Sequence, residues 1–151
     1  MDVKLTFLNG DLENEIFMKI PPGAEAKPGE VWLLHKALYG LKQASREWYL
    51  KLKGQLERLG FKRSEADHGI FTKDMMGRLF VIAVYVDNFL LFSSDINDIR
   101  AVKSDLKGCF DMKDLDQAKW ILQMKIERTG RSSDVWKLSI SQEQYVETIL
   151  E

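Results

Sequence analysis

The sequence predicts an α+β domain of ferredoxin-like order, βαββαβ, with an extra terminal hairpin and helix. Three observations predict it. Apolar residues at three- and four-residue spacing mark two helices, one over 44–59 and one following Asp95. Between them, a run of β-forming residues doubles back: Val81, Ile82, Ala83 and Val84 lead into Tyr85-Val86-Asp87-Asn88, and Phe89, Leu90, Leu91 and Phe92 lead out. Short β-forming segments precede the first helix and follow the second. A charged residue between two apolar strands belongs at a hairpin tip, where chemistry can reach it.

Taken in order, residues 1–8 read as a strand opening into an Asn9-Gly10 turn, and 15–20 as a second strand ended by Pro21-Pro22-Gly23. Residues 24–30 read as a surface loop with Pro28-Gly29 as its turn signal, and 31–34 as a short strand. In the first helix, Trp48, Tyr49, Leu52, Leu56 and Leu59 share a face and Gly60 supplies the stop. Residues 70–73 and 79–86 pair about Asp74-Met75-Met76-Gly77, and 89–93 return antiparallel across an Asp87-Asn88 tip. Asp95 caps the second helix, whose apolar face is Ile96, Ile99, Val102, Leu106 and Phe110. A last hairpin, 119–128 with 135–139, turns around Gly130, and Ser141 with Gln144 offers a capping box for a terminal helix from Gln142.

Size and composition fit one domain over residues 1–151: 45% of residues are hydrophobic and 30% charged. With 22 Lys and Arg against 23 Asp and Glu, the chain as a whole has no cationic excess for nucleic acid. Locally, residues 36–63 hold Lys36, Lys42, Arg46, Lys51, Lys53, Arg58, Lys62 and Arg63 against only Glu47 and Glu57. On one face this run would attract phosphate; spread over several, it is a solvated surface. Cys109 is the one cysteine, which excludes an internal disulfide and a thiolate zinc site and suggests a small core residue. His35 and His68 are isolated. No signal peptide is legible, and the longest apolar run, 79–86, is too short to cross a bilayer, so the expectation is a soluble, intracellular chain with no membrane partner.

Three blocks carry more information than any composition. They are Met1-Asp2-Val3-Lys4-Leu5-Thr6-Phe7-Leu8-Asn9-Gly10, Leu38-Tyr39-Gly40-Leu41-Lys42-Gln43-Ala44 and Tyr85-Val86-Asp87-Asn88. Together they resemble the polymerase palm of copia-type (pseudovirus) long-terminal-repeat retrotransposon reverse transcriptases, a segment of a longer Pol polyprotein. The resemblance runs from Asp2 through Ser141-Gln142-Glu143-Gln144-Tyr145. It implies RNA-directed DNA polymerisation by two-metal nucleotidyl transfer, with Mg2+ or Mn2+ as cofactor. The implied partners are an RNA template, a DNA primer and deoxynucleoside triphosphates. The fingers before the palm, and the thumb and RNase H regions after it, are expected outside these residues. The family setting implies a cytoplasmic virus-like particle or the nucleus.

The same resemblance assigns roles. Asp2 and Asp87 match the metal-holding aspartates. Asn88 stands where the family has a second hairpin aspartate, completing the catalytic and metal set Asp2, Asp87 and Asn88. An amide oxygen can ligate a cation but brings no charge, so a weakened site and impaired activity are expected. The amino group of Met1, beside Asp2, can pair with it and would then compete for the metal. Phe7 matches the bulky residue set against the sugar 2′ position. Gly40, Lys42 and Gln43 match the turn entering the helix that cradles template base and incoming nucleotide. Tyr85 matches the aromatic beside the primer end, and Lys113 in Phe110-Asp111-Met112-Lys113-Asp114-Leu115 the residue approaching the leaving phosphate. Read singly, each residue has a plainer role: surface or turn aspartates, a core phenylalanine, a loop lysine. Asp116, Gln117 and Gln123 replace the family's Gly-Pro and a later glycine. The alternative is a catalytically silent remnant or a domesticated nucleic-acid or protein binding module.

Overall fold

The two long helices form where the apolar spacing predicts them. In the computed structural model, which describes every residue except 26, 28, 133, 134 and 151, α1 spans Ala44–Arg58 and α2 spans Ile96–Cys109. Helix α1 buries Trp48, Leu52 and Leu56 and stops at Gly60, whose φ of 85° is left-handed. The Lys73 ammonium closes that end, donating to the Leu59 carbonyl at 2.7 Å. Helix α2 is capped by the Asp95 carboxylate, which accepts from the Asn97 amide at 2.8 Å, and it buries Val102 and Leu106. Cys109 packs at the core edge, and burial pushes its thiol up from the ordinary value.

The chain is mixed α/β and divides into two units, Met1–Asp114 and Leu115–Glu151. In the first, six strands form one antiparallel sheet: β1 (Asp2–Val3), β4 (Lys62–Arg63), β5 (Ile70–Asp74), β6 (Leu79–Tyr85), β7 (Asn88–Phe92) and β8 (Met112–Lys113). Their spatial order is β4-β5-β6-β7-β1-β8. Alternate residues face the helices: Phe71, Phe80, Ile82, Phe89, Val3 and Met112 are buried with Trp48, Leu52, Leu56, Val102 and Leu106 in one cluster. Each such phenylalanine contributes roughly 1.5–3 kcal/mol by leaving water. The β5–β6 turn has φ of 57° at Met76 and 82° at Gly77, as a type I′ hairpin requires. Arg78 follows it and makes two 2.9 Å bonds to the buried Asp98, tying the hairpin to the start of α2. A separate two-stranded sheet joins β2 (Asp11–Lys19) to β3 (Val31–Lys36).

The opening segment departs from expectation. Strand β1 covers only Asp2–Val3, and Thr6–Asn9 is a 3-10 helix rather than the continuation of a strand. Leu5 takes a left-handed φ of 50°, and the buried Thr6 hydroxyl donates to the Val3 carbonyl at 2.9 Å. These local bonds turn the chain out of the sheet at once. The hairpin tip also differs: Tyr85 pairs with Asn88, so the two tip residues are Val86 and Asp87, and Asn88 opens β7. The Met1 amino group donates to the Phe89 carbonyl at 2.8 Å instead of pairing with Asp2.

In the second unit, β9 (Trp120–Ile121), β10 (Met124–Ser132) and β11 (Val135–Ser141) form an antiparallel sheet, followed by α3 (Glu143–Leu150). Strand β10 runs through Gly130, where the turn was expected, and continues to Ser132 before β11 begins at Val135; Pro28 of the Pro28-Gly29 signal lies outside the described residues. No helix among the described residues is long and apolar enough to cross a membrane.

Candidate active site

Strand register assembles the site. Asp2 lies opposite Asn88 on one side and Lys113 on the other, and Asn88 lies opposite Tyr85. Tyr85, Asn88, Asp2 and Lys113 therefore form one row across β6, β7, β1 and β8. Directly opposed residues project to the same face of a sheet. Their neighbours Phe89, Val3 and Met112 are buried in the core, so the row projects away from it. Asp87, one residue before Asn88, sits on the tip beside this row, and its carbonyl accepts from the Val3 amide at 2.9 Å.

The tip itself is strained. Val86 has a φ of 56°, and Asp87 is not among the positive-φ residues, which is the pattern of a type II′ turn. A β-branched residue there costs roughly 1–3 kcal/mol and persists only where its surroundings hold it. The Trp48 indole N–H donates to the Val86 carbonyl at 2.8 Å. Within the tip, the Asn88 amide nitrogen donates to the Asp87 carboxylate at 2.8 Å.

A second group gathers at the start of α1. Phe7, on the 3-10 helix, packs against the core and meets Tyr39 edge-on, ring centres 4.5 Å apart. Next to Tyr39, Gly40 has a φ of 94°, a conformation side chains rarely adopt, and with it the chain turns toward the helix. Lys42 is exposed, and the half-buried Gln43 is the residue before α1. The structure thus keeps Phe7 close to the second block through Tyr39, a contact that sequence reading passed over. The apolar helix pattern marks Trp48 only as a core residue; its position in a helix directly after the second block is the further signal the sequence offers.

The basic stretch 36–63 spreads over β3, α1 and β4, and much of it is paired. Lys36 and Lys51 both bond Asp11, Arg46 pairs with Glu47, Lys53 with Glu57 and Arg63 with Glu65. The two lysines hold the Asp11 carboxyl down at about 2. These pairings favour the solvated-surface reading over a single phosphate-binding face.

As a donor set, Asp2 and Asp87 supply carboxylates and Asn88 an amide oxygen, all hard oxygen ligands suited to a magnesium-like cation completed by water. No group of three or more His, Cys, Asp or Glu residues that could hold a metal occurs among the described residues. The donor set offers two carboxylates and one amide rather than three carboxylates.

Residues 1–151 match the family described as reverse transcriptase (RNA-dependent DNA polymerase). The chain belongs to the reverse transcriptase family. It is 42% identical, over its whole length, to the Pol polyprotein of transposon TNT 1-94 from Nicotiana tabacum. It is 32% identical over 99% of its length to that of transposon RE1 from Arabidopsis thaliana, and 32% identical over 97% to a transposon Ty5-1 protein of Saccharomyces cerevisiae. These relatives are copia-type, as the three blocks imply. The reverse transcriptase chain spans 11% and 10% of the two plant polyproteins and 47% of the yeast protein. No solved structure matches it.

Proposed function

We propose that this chain is the palm segment of a copia-type RNA-directed DNA polymerase, with a ferredoxin-like core in unit 1 and one palm domain over residues 1–151. The observation that carries the reading is the row Tyr85, Asn88, Asp2 and Lys113 with Asp87 at its end. The strand order β6-β7-β1-β8, with α1 and α2 packed on one face, supports the ferredoxin-like assignment. Substrates are then a primer on an RNA template and deoxynucleoside triphosphates, in a longer Pol polyprotein carrying fingers, thumb and RNase H. The setting is a cytoplasmic virus-like particle or the nucleus.

Asp2 and Asp87 would hold divalent magnesium or manganese through carboxylate oxygens, with Asn88 adding its amide oxygen. A bound cation there supplies Lewis-acid stabilisation of the attacking 3′-oxygen and the triphosphate. Lys113, next to Asp2 in the row, adds a fixed positive charge on the side where phosphate charge accumulates. Phe7, braced by Tyr39, presents a ring that excludes a ribose 2′-hydroxyl by contact. Gly40, Lys42 and Gln43 shape the approach of the nucleotide and template base, and the exposed Tyr85 contacts the primer end.

The deciding experiment is primer extension on an RNA template with Mg2+ or Mn2+, against an Asp87→Ala control. Slow, metal-dependent incorporation that disappears in the control is the expected result. A second reading, a silent palm kept for binding, is favoured by one observation: Asn88 spends its amide on Asp87 where the family has a third carboxylate. A folded chain with no incorporation, but salt-sensitive nucleic-acid binding without metal, would establish it instead.

A further inference from the structure

Among the interactions around the hairpin tip, one joins elements that the family motifs treat separately. The indole N–H of Trp48, on α1, donates to the Val86 carbonyl at 2.8 Å, across 38 residues of sequence. The carbonyl it holds belongs to the peptide between Val86 and Asp87, the central peptide of the turn. In a two-residue hairpin this is the peptide whose flip separates type II′ from type I′. In the I′ form the second tip residue also takes a positive φ, which aspartate tolerates and which re-aims its side chain.

We propose that Trp48 is a positioning residue for Asp87: its hydrogen bond locks the Val86–Asp87 peptide in one of these two orientations. The bond has a fixed base. Trp48 is buried, and its ring meets Phe110 edge-on at 5.2 Å, so the indole cannot swing away. The backbone of Trp48 is seated against Gly10, where an added Cβ would stand 3.0 Å from the Trp48 nitrogen. On the far side of the tip, the Val3 amide holds the Asp87 carbonyl at 2.9 Å. The strained Val86 φ of 56° lies between these two anchors. The glycine of the first block and the tryptophan after the second thus both set the geometry of the third.

The inference rests on the reading of Asp2 and Asp87 as the metal-holding pair, and its test separates the two. Trp48→Phe removes the donor together with the pyrrole part of the indole; Val86→Gly supplies the residue a type II′ turn prefers at its first position and so favours that orientation without the bond. Amide exchange at Val3, which donates to the Asp87 carbonyl, reports the tip directly, and Mn2+ broadening of resonances near Asp2 and Asp87 reports the metal site. In Trp48→Phe, with core amide shifts unchanged, Val3 exchange should quicken by roughly tenfold or more and Mn2+ should bind several-fold more weakly. The double variant Trp48→Phe/Val86→Gly should recover most of both losses. Parental exchange and parental Mn2+ affinity in Trp48→Phe would overturn the proposal. If the parent itself shows no Mn2+ broadening, the metal reading falls, and the Val3 exchange decides the role of Trp48 alone. Should Trp48→Phe disturb the core, the indole N–H of the parent decides: free exchange there would also overturn it.

Discussion

At the scale of single residues, Asn88 is the departure from the resembled motif that lies in the row of the proposed metal site. The amide bonds the Asp87 carboxylate at 2.8 Å, a contact two carboxylates could not make without a proton or a cation between them. Asn88→Asp should therefore act with opposite signs. Without divalent cation it should cost about 0.5–1 kcal/mol through like-charge repulsion. With Mg2+ it should tighten binding by roughly tenfold and raise incorporation accordingly. Melting curves of both forms with and without Mg2+ check this, and an identical Mg2+ response in both would contradict it. Asp11 makes a second prediction. Its carboxyl is lowered to about 2, chiefly by hydrogen bonds from Lys36 and Lys51. A lowered carboxyl contributes stability above its ordinary pKa and loses it as pH falls through the folded value. The difference between parent and Asp11→Asn should be about 0.5 kcal/mol at neutral pH, as for exposed pairs. It should shrink from about pH 5 downward, fall to a small remainder near pH 2 and diminish in high salt. A difference undiminished at pH 2 would mean that Asp11 acts by something other than its charge.

Among elements, legibility followed length and local bonding. Helices α1 and α2 and strands β5, β6 and β7 were readable because five or more residues repeat a period that burial enforces. Strands β4, β8 and β9 have two residues each, too few for any period: β4 and β9 form against the longer β5 and β10, and β8 against the equally short β1. Thr6-Phe7-Leu8 looks β-forming by composition, yet the Thr6 hydroxyl and the Leu5 φ win locally. At the site, the blocks themselves were readable from resemblance, while the bond that joins them was not, because Trp48 satisfies the apolar helix pattern equally well. Gly10 shows the same blindness. Its φ of −71° suits any residue, so a turn argument misses its role, which is to let the chain approach α1 closely. Gly10→Ala would place a Cβ 3.0 Å from the Trp48 nitrogen and 3.1 Å from the Glu47 Cβ. It should cost about 1–3 kcal/mol by overpacking, read as a lower denaturant midpoint at unchanged m-value. A neutral result would mean that the chain before α1 shifts without strain.

Across the whole molecule, apolar burial is concentrated in unit 1. Every residue of the core cluster, from Met1 to Met112, belongs to it. Among the residues of unit 2 whose burial is described, none is buried, and Leu138, Ile140, Ile149 and Leu150 are more than half exposed. Strand hydrogen bonds alone add little net stability when water competes for both partners, so a sheet without a buried face opens cheaply. The β2–β3 hairpin is in a similar position, since Phe17, Val31, Trp32 and Leu33 are exposed and, among the described residues, neither strand pairs with a further strand. Hydrogen exchange should therefore rank the molecule in tiers. Amides of β6, β7, α1 and α2 should be the slowest. Those of β10, β11 and the β2–β3 hairpin should exchange roughly a hundredfold faster or more, without global unfolding. Equal protection in β10 and β6 would contradict the ranking, because it would require unit 2 to bury an apolar face as fully as the core does. Adding primer and template supplies the sharper form of the test. If the chain binds nucleic acid as a palm, the strands carrying Tyr85, Asn88, Asp2 and Lys113 should gain protection, while the buried amides of α2 should change little.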